Sequence, residues 1–357
     1  MSKNSKAVWE ILSPERIKEE YPLSANWKIC VDTSIEQTRK ILKWESDKKL
    51  LIIWPCSADF EESLLKYAEF IKKMREKYKD QIEIIMRFYT WKPRTVWWWK
   101  WLSVSRPWET PNISKWLCES RAIALKLLEM WVPLADEMLH PELIKMFEDL
   151  YSYLAVWARS WENQYHREVS SWLYLPIWIK NPTSWDIDTM VNSILAWQSP
   201  STYVLWSIIY DSIWNDMVHW ILRWWRINGK NIPNYSKEDL KSVIKLLFKR
   251  KVQNPSIIID TNHENSDKHQ EKQIEIMRDV FEYLRILESE WLNISPFKWF
   301  MVESYIDEWR QDWPKDGDES KVIKWRSLTD PCIGLSQTED LIGELAQKVD
   351  ETRKKII

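Results

Sequence analysis

The sequence predicts an α/β fold, a closed parallel (β/α)8 barrel, and three observations favour it. Eight short apolar runs rich in β-branched residues recur along the chain, as is typical of parallel strands that are buried on both faces. Stretches with helical apolar spacing, such as 60–80 and 237–250, lie between those runs. The length of 357 residues is enough for one barrel of the TIM type with extensions.

The predicted elements follow a simple alternation with a few additions. The runs predicted as strands are 50–54, 82–88, 132–138, 154–160, 175–180, 219–223, 256–260 and 297–304. Residues 1–48 are predicted as an N-terminal extension that serves oligomerisation or regulation, and residues 49–357 as the TIM barrel itself. A strand-like pair near 203–209 predicts a β-hairpin insertion before strand 6, and 305–330 is predicted as a long loop after strand 8.

Glycine and tryptophan are present in unusual numbers. Glycine normally makes up about 7% of a globular chain, yet this chain has 4 glycines and 28 tryptophans. Many tryptophans stand beside Ser, Asp, Asn or Pro, as in TSWD, RSWEN and WPCS, where chain reversals favour glycine. We hypothesise that most of them are glycines in the organism, written as Trp because a reassigned UGA codon was translated with the wrong table.

Energetics favour this hypothesis over a genuinely Trp-rich protein. Forcing a large side chain into a packed site costs roughly 1–3 kcal/mol, whereas the stability of a whole domain is about 5–15 kcal/mol. The face-value alternative is a non-enzymatic binding protein with Trp, Lys and Arg platforms for sugars or single-stranded nucleic acid. Such platforms cluster on one face, but these tryptophans are spread along the whole chain.

Charge and cysteine content argue against several classes of protein. There are 51 basic and 53 acidic residues, a net charge of -2, so no global field points to nucleic acid or to an acidic membrane surface. No apolar run reaches the roughly 18 residues of a membrane-spanning helix, and the polar start is unlike a signal peptide. We therefore expect a cytoplasmic protein. The four cysteines lie far apart without a CxxC pair, which argues against a disulfide framework or a zinc ribbon.

Polar side chains follow nearly every predicted strand, and in a (β/α)8 barrel these C-terminal ends converge on one mouth that carries the active site. Glu137 follows the third strand. Six of the polar residues are basic, namely Arg87, Lys92, Arg94, Arg159, Lys180 and Arg223. A single Arg after a strand is commonly a solvated loop residue, but six cations over one mouth would repel one another without anions. The pattern predicts binding of two phosphorylated substrates or of one large anion.

A second set of strand-end residues predicts a metal site. It consists of Cys56, His263, Glu303 and, further on, Asp330. Taken singly, a Cys is usually a small core residue and a His a hydrogen-bonded packing residue. Taken together, one sulfur, one nitrogen and two carboxylates suit Mn, Fe, Co or Zn rather than Mg.

With Trp read as Gly, several motifs resemble one enzyme family. The stretches IIWPCSADF, MRFYTWKPRTVWWWKWL, PLADEML, WARSWENQYHREVSSWL, PIWIKNPTSWD, IIIDTNHENSDK and MVESYIDEWRQD closely resemble the metal-dependent 3-deoxy-D-arabino-heptulosonate 7-phosphate (DAHP) synthases of the short-chain, aromatic-regulated type. The resemblance runs from about residue 10 to the C-terminal helix. It implies a transferase that condenses phosphoenolpyruvate with D-erythrose 4-phosphate and releases phosphate. That reaction is the first step of the shikimate pathway to chorismate and the aromatic amino acids, and the family usually forms homodimers or homotetramers.

The resemblance also implies a role for each motif residue. The residues that match metal ligands are Cys56, His263, Glu303 and Asp330. The residues that match the phosphoenolpyruvate site are Arg87, Lys92, Glu137, Arg159, Lys180 and Arg223, and those that match the erythrose 4-phosphate loop are Lys92, Pro93, Arg94 and Thr95. We expect Lys92 to be the general acid for the aldehyde oxygen, with His263 as a metal-linked alternative, and Glu137 to stabilise positive charge that develops at C2 of the enol ether.

Some positions depart from the family pattern. The stretch HPELIK at 140–145 lacks the family's Thr-Pro-Gln-Tyr in a region associated with effector binding, so the resemblance does not extend to feedback control. An indole at Trp157, beside Arg159, would obstruct a bound phosphate. We therefore predict that a chain with tryptophan at all the written positions is inactive. Trp99 is an exception among the tryptophans, because the family pattern itself has Trp there. Two alternatives within this reading are a related synthase that uses another sugar phosphate, such as arabinose 5-phosphate, and a catalytically dead paralogue. The KPRT motif argues against the first and the complete metal set against the second.

Overall fold

The computed structural model of the chain describes residues 10–54, 58–91, 102–106, 109–156, 160, 163–180, 187–205 and 208–356. The strands are β1 (Lys49–Trp54), β2 (Ile82–Arg87), β3 (Leu134–Glu137), β4 (Tyr151–Val156), β5 (Ile177–Lys180), β6 (Ser201–Leu205), β7 (Ile208–Ser212), β8 (Val218–Leu222), β9 (Trp225–Ile227), β10 (Lys230–Ile232), β11 (Ile257–Asp260) and β12 (Phe297–Glu303). The helices are α1 (Pro14–Glu20), α2 (Ala25–Leu42), α3 (Glu61–Lys77), α4 (Ile113–Glu129), α5 (Gln164–Trp172), α6 (Ile187–Trp197), α7 (Lys237–Lys249), α8 (Lys272–Ser289) and α9 (Leu335–Ile356), with 3-10 turns at Pro141–Met146 and Glu319–Lys321.

Eight strands form a closed parallel barrel in the order β1, β12, β11, β8, β5, β4, β3, β2, and each overlaps one of the runs predicted as strands, although β4 begins three residues before its predicted run. The predicted insertion is also confirmed, because β6 and β7 pair as an antiparallel hairpin before β8. A second small hairpin, β9 with β10, was not predicted. Its turn contains Gly229 at a φ of 79°, a left-handed conformation that glycine adopts without strain.

The alternation of side chains along each strand separates two hydrophobic clusters. Outward residues such as Ile53, Ile84 and Leu154 pack with the helices, while inward residues such as Ile52 and Tyr153 fill the barrel. Because side chains alternate with a period of two, the last inward position of each strand lies at the C-terminal mouth. The strand-end polar residues therefore face the barrel axis.

Helix α2 closes the opposite, N-terminal end of the barrel. Its Ser34 hydroxyl donates to Glu83 Oε1 at the start of β2, at 2.7 Å, and Ser152 at the start of β4 donates to the carbonyl oxygen of Val31 at 3.3 Å. Ile41 belongs to the cluster inside the barrel. Part of the predicted N-terminal extension is thus packed on the barrel, while its role in oligomerisation or regulation stays a prediction.

The segment between β12 and α9 contains the predicted long loop, and it returns over the mouth of the barrel. Val322 and Leu328 of this loop belong to the cluster inside the barrel, and a bridge between Trp309 and Cys332 holds its two ends together. Among the described helices, none is both long and apolar enough to cross a membrane.

Three helices, α2, α4 and α8, end in the same way. Each has a tryptophan one residue beyond its C-cap in the left-handed conformation, namely Trp44 (φ 62°), Trp131 (φ 61°) and Trp291 (φ 62°). In α8, the N–H of Trp291 donates to Glu288 O and the N–H of Leu292 donates to Leu287 O, both at 3.0 Å. These two bonds define the Schellman motif, whose left-handed position is usually glycine.

Strand β12 contains an irregularity in its lower half. Its pairing with β11 shifts register, so that Ile257 pairs with Phe297 but Ile258 pairs with Trp299, which leaves Lys298 as an extra residue. Trp299 has a φ of 128°, and its indole packs edge-on against Phe281 of α8, 5.8 Å between ring centroids. Above this bulge, Met301 points into the barrel.

Candidate active site at the barrel mouth

The barrel brings together the predicted site residues that the structure describes. They are Arg87, Glu137, Lys180, Arg223, His263, Glu303 and Asp330, which come from the ends of β2, β3, β5, β8, β11 and β12 and from the loop before α9. The other predicted site residues, Cys56, Lys92, Pro93, Arg94, Thr95 and Arg159, lie outside the described residues. The described site residues at strand ends are almost fully buried, between 0% and 3% exposed, namely Arg87, Glu137, Lys180, Arg223 and Glu303.

Two of the buried cations are paired with carboxylates. Lys180 Nζ lies 2.9 Å from Glu137 Oε1, and Arg223 Nε lies 3.1 Å from Asp260 Oδ2. These two carboxylates reduce the repulsion between the strand-end cations, and the prediction that the remaining positive charge binds anionic substrates stays a prediction. Burial lowers the pKa of Lys180 well below its usual value, and Glu137 opposes this change by favouring the charged amine. A charged ligand that binds beside this pair will interact electrostatically with both Lys180 and Glu137.

Arg87 lies against aromatic rings inside the mouth. Its guanidinium carbon lies 3.4 Å from the centroid of Tyr89 and 5.0 Å from that of Trp178, distances at which cation–π attraction is significant. Burial lowers the pKa of Arg87, while Glu137, Glu303 and Asp260 raise it. Lys180 Nζ lies 5.6 Å from the same Tyr89 ring, so the two cations share one aromatic wall.

His263, Glu303 and Asp330 form a group that fits a metal ion. One ligand atom from each lies within 4.8 Å of the others, although the three residues come from the turn after β11, the end of β12 and the loop before α9. Nitrogen and carboxylate oxygen suit the divalent transition metals. The described part of the predicted ligand set thus converges, as the sequence predicted for these three residues.

His263 is oriented by Asp260. Its Nδ1 lies 2.7 Å from Asp260 Oδ2, and its Nε2 lies 3.4 Å from Glu303 Oε1. Burial and then Arg223 lower the pKa of His263 to about 4, so the imidazole is neutral at pH 7. A neutral ring with one nitrogen beside a carboxylate presents its other nitrogen as a ligand, as in many metal sites. The backbone of His263 is left-handed, at a φ of 53°, which aims the ring back into the mouth.

Two further residues that the sequence reading missed hold Glu303 in place. Gln273 of α8 accepts the Glu303 N–H at 2.8 Å and donates to the Glu303 carbonyl oxygen at 2.9 Å. Asn262 donates to the Glu303 carboxylate and to the carbonyl oxygen of Pro331 at 3.1 Å. Asn262 directly precedes His263, so its position offered a signal, whereas Gln273 lies on a helix face that only the fold brings to β12.

The described cysteines are not all alike. Cys30 and Cys118 have free thiols, while Cys332 is disulfide-bonded. Two of the three described cysteines are thus free, and the prediction that the chain has no disulfide framework stays a prediction.

Fold and site together define a class of protein: a (β/α)8-barrel enzyme whose mouth combines buried cations with a group able to bind a transition metal. Comparison with known proteins narrows this class. A model of the DAHP synthetase I family matches residues 31–342. The chain is similar to the phospho-2-dehydro-3-deoxyheptonate aldolase of Haemophilus influenzae, with 31% identity over 97% of this chain and 94% of that protein.

Two further comparisons agree. The phenylalanine-inhibited phospho-2-dehydro-3-deoxyheptonate aldolase of Saccharomyces cerevisiae is 32% identical over 96% of this chain and 92% of its own length. The solved structure of the Francisella tularensis phospho-2-dehydro-3-deoxyheptonate aldolase superposes with a TM-score of 0.87 and 27% identity, covering 97% of this chain and 99% of that one. The chain belongs to the DAHP synthetase I family, and it is a DAHP synthase, an enzyme of aromatic amino-acid biosynthesis.

Proposed function

We propose that the barrel mouth condenses phosphoenolpyruvate with D-erythrose 4-phosphate, giving DAHP and inorganic phosphate. The observation that carries the proposal is the meeting of three buried cations, Arg87, Lys180 and Arg223, with the three-residue metal group in one mouth. Two anionic substrates, one with a carbonyl oxygen that must be polarised, need both features together.

Phosphoenolpyruvate takes the cation side in this proposal. Lys180 and Arg223, with Arg159, hold its phosphate, and Arg87 holds its carboxylate. Bidentate guanidinium contacts suit both anionic groups. The Tyr89 ring lies against the Arg87 guanidinium and limits its orientation, which favours one orientation of the enol ether.

The sugar phosphate takes the loop that contains Lys92, Pro93, Arg94 and Thr95. His263, Glu303 and Asp330, with Cys56, would hold one divalent metal, Mn, Fe, Co or Zn, which when bound supplies a Lewis acid for the aldehyde oxygen. The neutral imidazole of His263 is the ionisation state that such a site requires of its nitrogen ligand.

Side chains of the mouth then donate a proton and stabilise the charge that develops during the reaction. C3 of phosphoenolpyruvate attacks the aldehyde carbon, and Lys92 gives a proton to the aldehyde oxygen, with His263 as the alternative donor. Glu137, beside Lys180, stabilises the positive charge at C2. Water adds at C2, and phosphate leaves by cleavage of its C–O bond.

Phosphate release tests this proposal. With a thiol reductant and Mn²⁺, we expect release from phosphoenolpyruvate only when erythrose 4-phosphate is present, and little release with arabinose 5-phosphate. Dialysis against a chelator should abolish the activity, and Mn, Fe, Co or Zn should restore it. Equal rates with both sugars would favour the related synthase, and release that survives chelation would refute the metal assignment.

We also propose that most of the tryptophans are glycines in the working protein. The structure supports this at Trp44, Trp131 and Trp291, each at the left-handed end of a Schellman motif. Trp299 and Trp309 have φ values of 128° and 80°, where a side chain is strained. Five of the eleven non-glycine residues with positive φ in the described chain are therefore tryptophans.

Unpaired indole N–H groups give independent support. In the part of the chain that the structure describes, the buried indole nitrogens without a hydrogen-bond partner are those of Trp116, Trp172, Trp178, Trp197 and Trp220. A buried indole N–H normally has a partner, and each one left without costs about 1–3 kcal/mol. Codons decide the matter: UGG at these positions, or an intact mass of the native protein that matches the written sequence, would contradict the proposal. A Trp-containing chain with full activity would contradict the prediction that the literal chain is inactive.

Finally, we propose that the enzyme is a cytoplasmic homodimer or homotetramer, as its family resemblance implies. Light scattering coupled to gel filtration measures the mass directly. A single-chain mass near 43.5 kDa at micromolar concentration would exclude both assemblies.

A further inference from the structure

Asp260 at the end of β11 contacts two residues that have different roles in the proposed reaction. Its Oδ2 lies 3.1 Å from Arg223 Nε and 2.7 Å from His263 Nδ1. Both contacts are thus made by one oxygen atom of one carboxylate. Arg223 is proposed to hold the phosphate of phosphoenolpyruvate, whereas His263 belongs to the group that fits a metal ion. A single atom therefore connects the phosphate side of the mouth to the metal side.

The carboxylate of Asp260 is fixed from several sides. The residue is 0% exposed, and its other carboxylate oxygen, Oδ1, accepts the Asn262 N–H at 3.0 Å. Its carbonyl oxygen accepts from the side-chain amide of Asn265 at 2.8 Å, and strand pairing holds its backbone to β12. Asp260 cannot turn towards one partner without breaking these contacts. A change at one partner of Oδ2 therefore affects the other.

The imidazole of His263 transmits such a change to the metal group. Its Nδ1 lies beside Asp260, while its Nε2 lies 3.4 Å from Glu303 Oε1, so the two ring nitrogens face the carboxylate and the metal group respectively. A carboxylate behind the ring of a metal-binding histidine strengthens that histidine as a ligand. The interaction of the same oxygen with Arg223 weakens this effect, because the guanidinium attracts the negative charge that would otherwise act on the ring.

We propose that Asp260 links the binding of phosphoenolpyruvate to the binding of the metal. Arg223 uses Nε in its contact with Asp260, and its two Nη groups are the donors for a phosphate in the proposed function. An anion bound there competes with Asp260 for the positive charge of the guanidinium, so the carboxylate then acts more strongly on His263. Each ligand tightens the binding of the other by the same factor. This inference rests on the proposed function of Arg223 and of the metal group.

Calorimetric titration of the metal-free protein with Mn²⁺, with and without saturating phosphoenolpyruvate, measures the linkage. For the unmodified protein, in the codon reading fixed by its mass, we expect phosphoenolpyruvate to lower the Kd for Mn²⁺ about tenfold. Asp260→Asn keeps the shape of the side chain but removes its charge. In this variant the ratio of the two Kd values should fall below about twofold, whatever the Kd for Mn²⁺ alone.

Arg223→Lys separates the shared contact from the general attraction between an anion and a metal ion. It keeps the positive charge but lacks Nε, so the ratio should again fall below about twofold. Arg87→Lys is the matched control, because it makes the same change in an arginine that lies against the Tyr89 ring. In the control the ratio should stay about tenfold. If Asp260→Asn does not fold, the two arginine variants still decide.

Three results would overturn the inference. A tenfold ratio that persists in Arg223→Lys would show that anion and metal attract each other without help from Asp260. Equal Kd values for Mn²⁺ in the unmodified protein, with phosphoenolpyruvate bound and absent, would overturn the linkage but leave the proposed function standing. If the unmodified protein does not bind phosphoenolpyruvate or does not bind Mn²⁺, both this inference and the proposed function fall.

Discussion

Replacing Trp291 by glycine should stabilise the chain. Trp291 is 97% exposed, so the substitution removes almost no buried area and leaves no cavity. Its φ of 62° costs a non-glycine residue about 1–2 kcal/mol. Glycine also gives the unfolded chain more freedom, which opposes the gain by about 0.4–1 kcal/mol. We therefore expect the free energy of unfolding to rise by about 1 kcal/mol.

Denaturant unfolding of three chains measures this difference. A comparison of the unmodified chain with Trp291→Ala and Trp291→Gly separates the effect of losing the indole from the effect of relieving backbone strain. Alanine removes the indole but keeps the steric cost of the left-handed φ. Lys251→Gly is a second test, since Lys251 is exposed, has a φ of 53° and occupies the same position after α7. A Trp291→Gly chain no more stable than Trp291→Ala would refute the reasoning, and with it the use of these motifs as evidence for glycine.

Three further predictions concern the mouth and the interior. Glu137→Gln leaves Lys180 buried without its carboxylate and should lower the free energy of unfolding by about 3–5 kcal/mol. The control Glu344→Gln breaks a surface pair with Arg278 and should lower it by at most about 0.5 kcal/mol. Equal losses of the two variants in denaturant unfolding would contradict this prediction. Burial lowers the pKa of His219 to about 4, so its contribution to stability is present above pH 6.5 and is lost as the pH falls towards 4. The loss is about 3 kcal/mol, and His219→Asn should flatten unfolding curves between those pH values. Gln273→Ala releases the backbone of Glu303 and should weaken metal retention about 10- to 100-fold, measured by competition with a chelator; unchanged retention would show that the strand alone holds Glu303.

The barrel could be predicted from the sequence because its strands are short, buried and rich in Ile, Leu and Val. Runs such as LLIIW and SIIID have few alternatives to a buried strand, and nearly every run ends in or is followed by a polar residue. Arg87, Glu137 and Lys180 were therefore found without coordinates. The hairpin of β9 and β10 was missed because its strands are only three residues each, too short for a periodic signal.

Contacts between distant elements could not be predicted in the same way. The Lys180–Glu137 pair joins β5 to β3 across the end of β4, and Gln273 reaches Glu303 from the face of a helix. Neither leaves a local pattern in the sequence. Asp136 lies in a motif that was recognised, ADE, but no local pattern indicates its hydrogen bonds to the Thr90 hydroxyl, after β2, and to the Tyr151 hydroxyl on β4.

The bulge in β12 fixes the direction of a side chain far along the strand. One extra residue, Lys298, shifts the alternation of everything above it, and a shift by one residue turns a strand's side chains to the opposite face. With the bulge, Glu303 points into the mouth; without it, the same carboxylate would point towards the surrounding helices. The backbone angle that makes the bulge belongs to Trp299. One extra residue near the closed end of the barrel thus sets the direction of a proposed metal ligand at the open end.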